Sequence, residues 1–196
     1  MRSLEIDELL ARLYVDPRMR SEFLADRLSF ARRYGYEDEF VSAIDPEALK
    51  FFAESLVRKR ANEVRKLIPL TASALADDFE AAFDRFADGS IPSGYNRHAA
   101  DALAFCRHVT AERSRSFAAE VATFDLSRLG LKLRSVTEAG NPLVIRALKR
   151  KLPVIRLARF SGTLRALLEG KPAGVPGRRT LILFLSIPGL TGIWYW

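Results

Sequence analysis

Between Pro46 and Pro69 the chain has neither glycine nor proline, so nothing in this stretch interrupts a helix. Within it Leu49, Phe52, Ala53, Leu56, Glu63, Val64 and Leu67 fall along one helical face. A long amphipathic helix is therefore fixed near the middle of the N-terminal half, and its neighbours must offer it an apolar surface. Pro69 lacks an N–H and clashes with the preceding turn, so the helix ends or kinks there and a second one is expected over Thr71–Ala87. Asp88–Gly94 is dense in turn residues and reads as a loop. A further helix is expected from Asn96 to Phe124, with a break near Arg113–Ser116.

Upstream, apolar residues recur at helical spacing in two sets: Leu4, Leu9, Leu10 and Leu13, then Met19, Phe23, Leu24 and Leu28. Asp16-Pro17 separates the sets and is a helix start, with the carboxylate as cap and proline at the first helical position. Asp45-Pro46 repeats the signal. A short helix over Leu28–Tyr34 should stop at Gly35, which adopts positive φ cheaply.

After Gly130 the period changes. Leu131–Arg134 alternates like a half-buried strand, and Pro153–Phe160 is a second strand candidate, with a basic helix expected over Asn141–Lys151 between them. Gly162–Glu169 reads as a helix, Thr180–Ile187 as a strand buried on both faces, and Thr191–Trp196 as the last strand of a hairpin turned by Pro188-Gly189. The expected class is α+β: a helical bundle over residues 1–125 followed by a small basic α+β domain over 126–196.

That boundary is also a boundary of charge. Residues 1–125 hold 18 Lys and Arg against 22 Asp and Glu; residues 126–196 hold 13 against 2. The basic segment either neutralises the acidic one within the molecule or faces an acidic partner. A hydrophobic content of 48% suffices for a folded core. No stretch reaches the roughly 18 apolar residues that span a bilayer, and the N-terminus alternates charge where a secretory signal runs apolar. The expectation is a cytoplasmic protein with no membrane partner.

Reactive groups do not converge. His98 and Asp101 stand three apart, close enough for a hydrogen bond, but the ten residues from His98 to His108 turn a helix by about 280°, so the imidazoles do not share a face. The single Cys106 reads as a buried small hydrophobe, and one Cys with two His cannot build a four-ligand zinc finger. No glycine-rich phosphate loop is present, because Gly170–Gly177 lacks the Lys-Ser/Thr ending. No catalytic residue, metal ligand or cofactor is therefore assigned to this chain.

Two cationic sets remain. Arg58, Lys59, Arg60, Arg65 and Lys66 mark the long helix as a solvated face or a docking surface for a protein partner, with Glu54 and Glu63 placed to pair at spacings of four and three. Arg146, Lys149, Arg150, Arg156 and Arg159 form a second set suited to an acidic peptide. The same set would hold nucleic acid through phosphates, although no aromatics interleave with it to stack bases.

Several segments are familiar together: Leu9–Pro17, Glu22–Asp26, Phe30–Gly35, Phe51–Arg60, Glu63–Thr71 and His98–Phe105. Their combination resembles the partner domains of multinuclear non-haem iron-dependent oxidative enzymes, which act in the modification of ribosomally made peptides. The resemblance implies that iron and chemistry belong to a separate oxygenase barrel, while this chain contributes recognition of a precursor peptide. Related partner proteins place a winged-helix-like peptide-binding fold after the helical region, which is similar to the α+β segment read here.

Overall fold

A computed structural model describes residues 2–88, 97–132, 143–145, 154–160, 167–168, 180–186 and 193–195. The chain divides into two compact units: residues 1–62 with 80–92, and residues 63–79 with 93–196. Among the described residues, helices α1 (Arg2–Val15), α2 (Pro17–Ala25), α3 (Arg27–Tyr34), α4 (Asp38–Ala43), α5 (Pro46–Leu67), α6 (Pro69–Leu75), α7 (Asp78–Asp88), α8 (Arg97–Glu112) and α9 (Phe117–Lys132) precede four strands. These are β1 (Leu143–Ile145), β2 (Val154–Phe160), β3 (Thr180–Ser186) and β4 (Ile193–Tyr195). The class is α+β, mostly helical among the described residues.

The helix starts follow from their caps. Asp16 accepts from the backbone N–H groups of Arg18 and Met19 at 2.9 and 3.1 Å, satisfying donors that the first turn of α2 leaves open. Asp45 does the same for Glu47 at 2.9 Å, so α5 begins where Asp45-Pro46 signals it. Gly35 closes α3 at φ 77°, the left-handed cap. In this first unit Leu9, Leu13, Phe23, Phe30, Ala31, Val41, Ile44 and Leu49 form one buried cluster, with Phe23 and Phe30 edge to face at 5.4 Å.

The second unit is organised by α9. Ala118, Val121, Ala122, Phe124, Leu126, Leu129 and Leu131 are all buried, so the helix is apolar around most of its circumference. It lies on an antiparallel sheet of order β1-β2-β3-β4 built on the β2–β3 pair, in which Ala158 faces Ile182 and Arg156 faces Phe184. Phe124, Phe160 and Phe184 meet there, Phe124 and Phe184 at 5.3 Å, and Leu167 joins them.

Several expectations need correction. The helix expected over Thr71–Ala87 is two helices, separated at Ala76, whose backbone stands at φ 48° and ψ −122° with no glycine or proline to signal it. Leu131 and Lys132 belong to the end of α9, because burial on all sides extends the helix past the short alternation. This same helix carries the chain across residue 125, where the charge balance changes sign. Leu143–Ile145, expected as helix, is strand: pairing with Leu157, Arg156 and Ile155 outweighs local helical preference in a segment carrying Val144 and Ile145. Strand β3 is buried on one face only, since Ile182 and Phe184 are enclosed while Leu181 is 54% exposed. Finally, α4 was not expected. Asp88, expected to open a loop, is the last residue of α7, while the remainder of that loop over 89–94, the remainder of the helix expected over Gly162–Glu169 and the Pro188-Gly189 turn lie outside the described residues.

Candidate partner-binding site

Helix α5 buries Leu49, Ala53, Ala61 and Val64 and turns a second set of apolar residues outward. Phe51 is 63% and Phe52 53% exposed, their rings edge to face at 6.0 Å, and Leu56 is 39% exposed. At 100° per residue, Leu56 and Lys59 lie within about 40° of Phe52, so an aromatic, an aliphatic and a cation follow one another up one strip. Tyr14 of α1 borders the strip, its ring 5.8 Å from that of Phe52. Exposed aromatics rimmed by charge are the composition of a protein-binding patch.

The five cations expected to act together on α5 are distributed among four different environments. Lys59 is exposed beside the aromatic strip. Arg58 lines a cleft of about 620 Å³ in the first unit. Arg60 stands over the ring of Phe83 at 5.7 Å, and Arg65 over that of Phe79 at 4.5 Å, so both guanidiniums are engaged by buried aromatics. Lys66 pairs with Glu63 at 2.7 Å, as the spacing of three requires.

The second cationic set is only partly described. Arg146, Lys149 and Arg150 lie outside the described residues. Arg156 and Arg159 are both on β2, but their odd separation places the two positions on opposite faces of the sheet. Arg159 is exposed and opposes Leu181.

Beneath α9 lies a buried polar group that sequence reading did not single out. Asp125 is fully buried and accepts hydrogen bonds from the Thr71 amide at 2.8 Å and the Thr71 hydroxyl at 2.9 Å. Arg128, one turn along, donates to Asp125 at 2.9 and 3.2 Å and to the Leu67 carbonyl at 3.1 Å. Burial pushes the Asp125 carboxyl above its ordinary range against the opposing pull of the Thr71 amide and Arg128. Burial, then the nearby Asp125 charge, pushes the Cys106 thiol up, which favours the protonated thiol over the thiolate. The signal available was the Asp-x-x-Arg spacing inside an apolar helix.

His108 lies 3.6 Å from Glu112 and stacks on Phe105. Among the described residues no group of three His, Cys, Asp or Glu side chains is placed to hold a metal ion, and no helix is long and apolar enough to cross a membrane.

Residues 42–111 match the family described as SCO6045-like, C-terminal domain. This span runs from the end of α4 through α8 and contains the aromatic strip, all five α5 cations and the whole of α7. No curated protein and no solved structure matches the chain. The chain thus contains, over residues 42–111, a segment similar to the SCO6045-like C-terminal domain.

Proposed function

We propose that this protein is a non-catalytic accessory subunit that docks on a multinuclear non-haem iron oxygenase and presents a ribosomally made precursor peptide to it. The observation that carries the docking half is the strip Phe52, Leu56 and Lys59 with Phe51 beside it, where two large aromatics lie open to solvent on a rigid helix. Such anchors contribute most of the binding energy at protein interfaces when a partner covers them. The iron belongs to the partner enzyme, in keeping with a chain whose only thiol is buried.

Peptide recognition falls to the basic C-terminal segment, read as winged-helix-like. An extended peptide adds to a sheet edge through main-chain hydrogen bonds, and among the described residues β1 and β4 are the outer strands. The excess of cations over residues 126–196 favours an acidic leader, with Arg159 exposed to meet it.

The test is co-purification with an oxygenase barrel encoded beside this protein and titration with the short precursor peptide encoded there. Phe51→Ser with Phe52→Ser should abolish co-purification and leave peptide binding intact, whereas Arg159→Glu should weaken the peptide. Tight binding of random duplex DNA at physiological ionic strength, falling steeply with salt and unaccompanied by peptide binding, would replace this reading with a nucleic-acid-binding regulator.

A further inference from the structure

The cleft that takes Arg58 has regular walls. Glu54, Arg58 and Asn62 line it from α5, and Glu80, Asp84 and Asp88 line it from α7. Each set is spaced by four, so each forms a stripe along one side of its helix. Both stripes flank buried seams, Ala53 and Ala61 on α5 and Phe83 and Ala87 on α7, which fixes the walls on packed helices. Arg20 also borders the cleft but donates to the carbonyls of Leu13 and Tyr14 at 3.0 and 3.2 Å. Among the described residues Glu54, Arg58, Asp84 and Asp88 form no ion pair, and Glu54 does not close onto Arg58 despite the spacing of four.

We propose that this cleft binds an extended basic peptide segment bearing cationic side chains two residues apart. Its volume of about 620 Å³ falls within the roughly 300–1,000 Å³ of ligand pockets. Among the lining residues Glu54, Asp84 and Asp88, which form no ion pair, outweigh Arg58, the guanidinium not committed to backbone carbonyls, so the occupant is cationic. One turn of α7 separates Asp84 from Asp88 by about 6 Å of rise. Same-side residues of an extended chain are about 6.6 Å apart, so successive cations of an Arg-x-Arg segment meet successive carboxylates. Arg58, on the opposite wall, is placed for a peptide carbonyl and limits affinity by like-charge repulsion. The site is independent of the accessory-subunit reading, whose peptide is acidic and whose strip of Phe52, Leu56 and Lys59 lies on another face of α5.

The probe is a blocked arginine-alanine-arginine-alanine peptide carrying a fluorophore, titrated into the full chain by anisotropy at low ionic strength. Saturable binding is expected, at least about tenfold tighter than for the glutamate counterpart. Asp84→Asn with Asp88→Asn should weaken it about tenfold at unchanged melting temperature, and Arg58→Gln should tighten it. Absence of saturable binding, or binding indifferent to the Asp84 and Asp88 changes, would overturn the proposal. Equal binding of a peptide with its two arginines adjacent would overturn the spacing argument on which it rests.

Discussion

Asp125, in the middle of α9, is bonded to both donors of Thr71, the third residue of α6, although the two are far apart in the chain. Ile68 occupies the cap position of α6 and has no side-chain oxygen, so a carboxylate from another helix does what a local cap does elsewhere. The Thr71 amide is one whose helical acceptor would be the Leu67 carbonyl, and that carbonyl is taken instead by Arg128. Each orphan created at Pro69 is thus matched by one member of the Asp125–Arg128 pair. Asp125→Ala should cost about 2–4 kcal/mol, because it leaves the two buried donors of Thr71 without their acceptor and half-buried Arg128 without its carboxylate. Thr71→Val, which keeps the amide bond, should cost about 1–2 kcal/mol. Chemical denaturation of both variants checks the order.

The same carboxyl predicts a pH dependence. Its folded pKa lies above the ordinary 3.8, so its contribution is complete below 3.8 and declines as pH rises through the folded value. Asp125→Asn lacks this term. The stability gap between the parent protein and Asp125→Asn should therefore narrow as pH is raised from 3.5 toward neutrality, as melts at a series of pH values will register; a gap that widens steadily contradicts the assignment.

Ala76 holds a backbone conformation in which an L side chain is strained and glycine is not. Ala76→Gly should therefore raise stability, by about 1 kcal/mol, despite the greater freedom it gives the unfolded chain. A shift of the denaturation midpoint to higher denaturant with an unchanged slope is the expected result.

Phe184 is fully buried between Phe124 and Phe160, whereas Phe51 is open to solvent. Phe184→Ala should cost about 3–5 kcal/mol and Phe51→Ser within about 0.5 kcal/mol. Equal losses at the two positions would mean that Phe51 is covered in solution. Truncation before Thr180 removes Ile182 and Phe184 together and should leave the face of α9 without a partner.

The helical architecture was legible wherever local chemistry decides it. Asp16-Pro17, Asp45-Pro46 and Gly35 mark boundaries through caps that involve residues only two or three apart. The end of α9 and strand β1 were not legible, because each is settled by what lies across from it: enclosure of Leu131 in one case, pairing with β2 in the other. The same distinction separates the candidate sites. The pairing of Lys66 with Glu63 follows from spacing alone, but the exposure of Phe51 depends on which neighbours reach α5. Periodicity assigns Phe52 and Leu56 to the core face of the helix, and the structure turns them outward.

The exchange of partners at Pro69 bears on how this part of the molecule opens. The amide proton of Thr71 can be released only by parting α6 from α9, so its deuterium uptake should be slow and should share the opening free energy of α9. The junction between α5 and α6 is then not a hinge but part of one cooperative unfolding element.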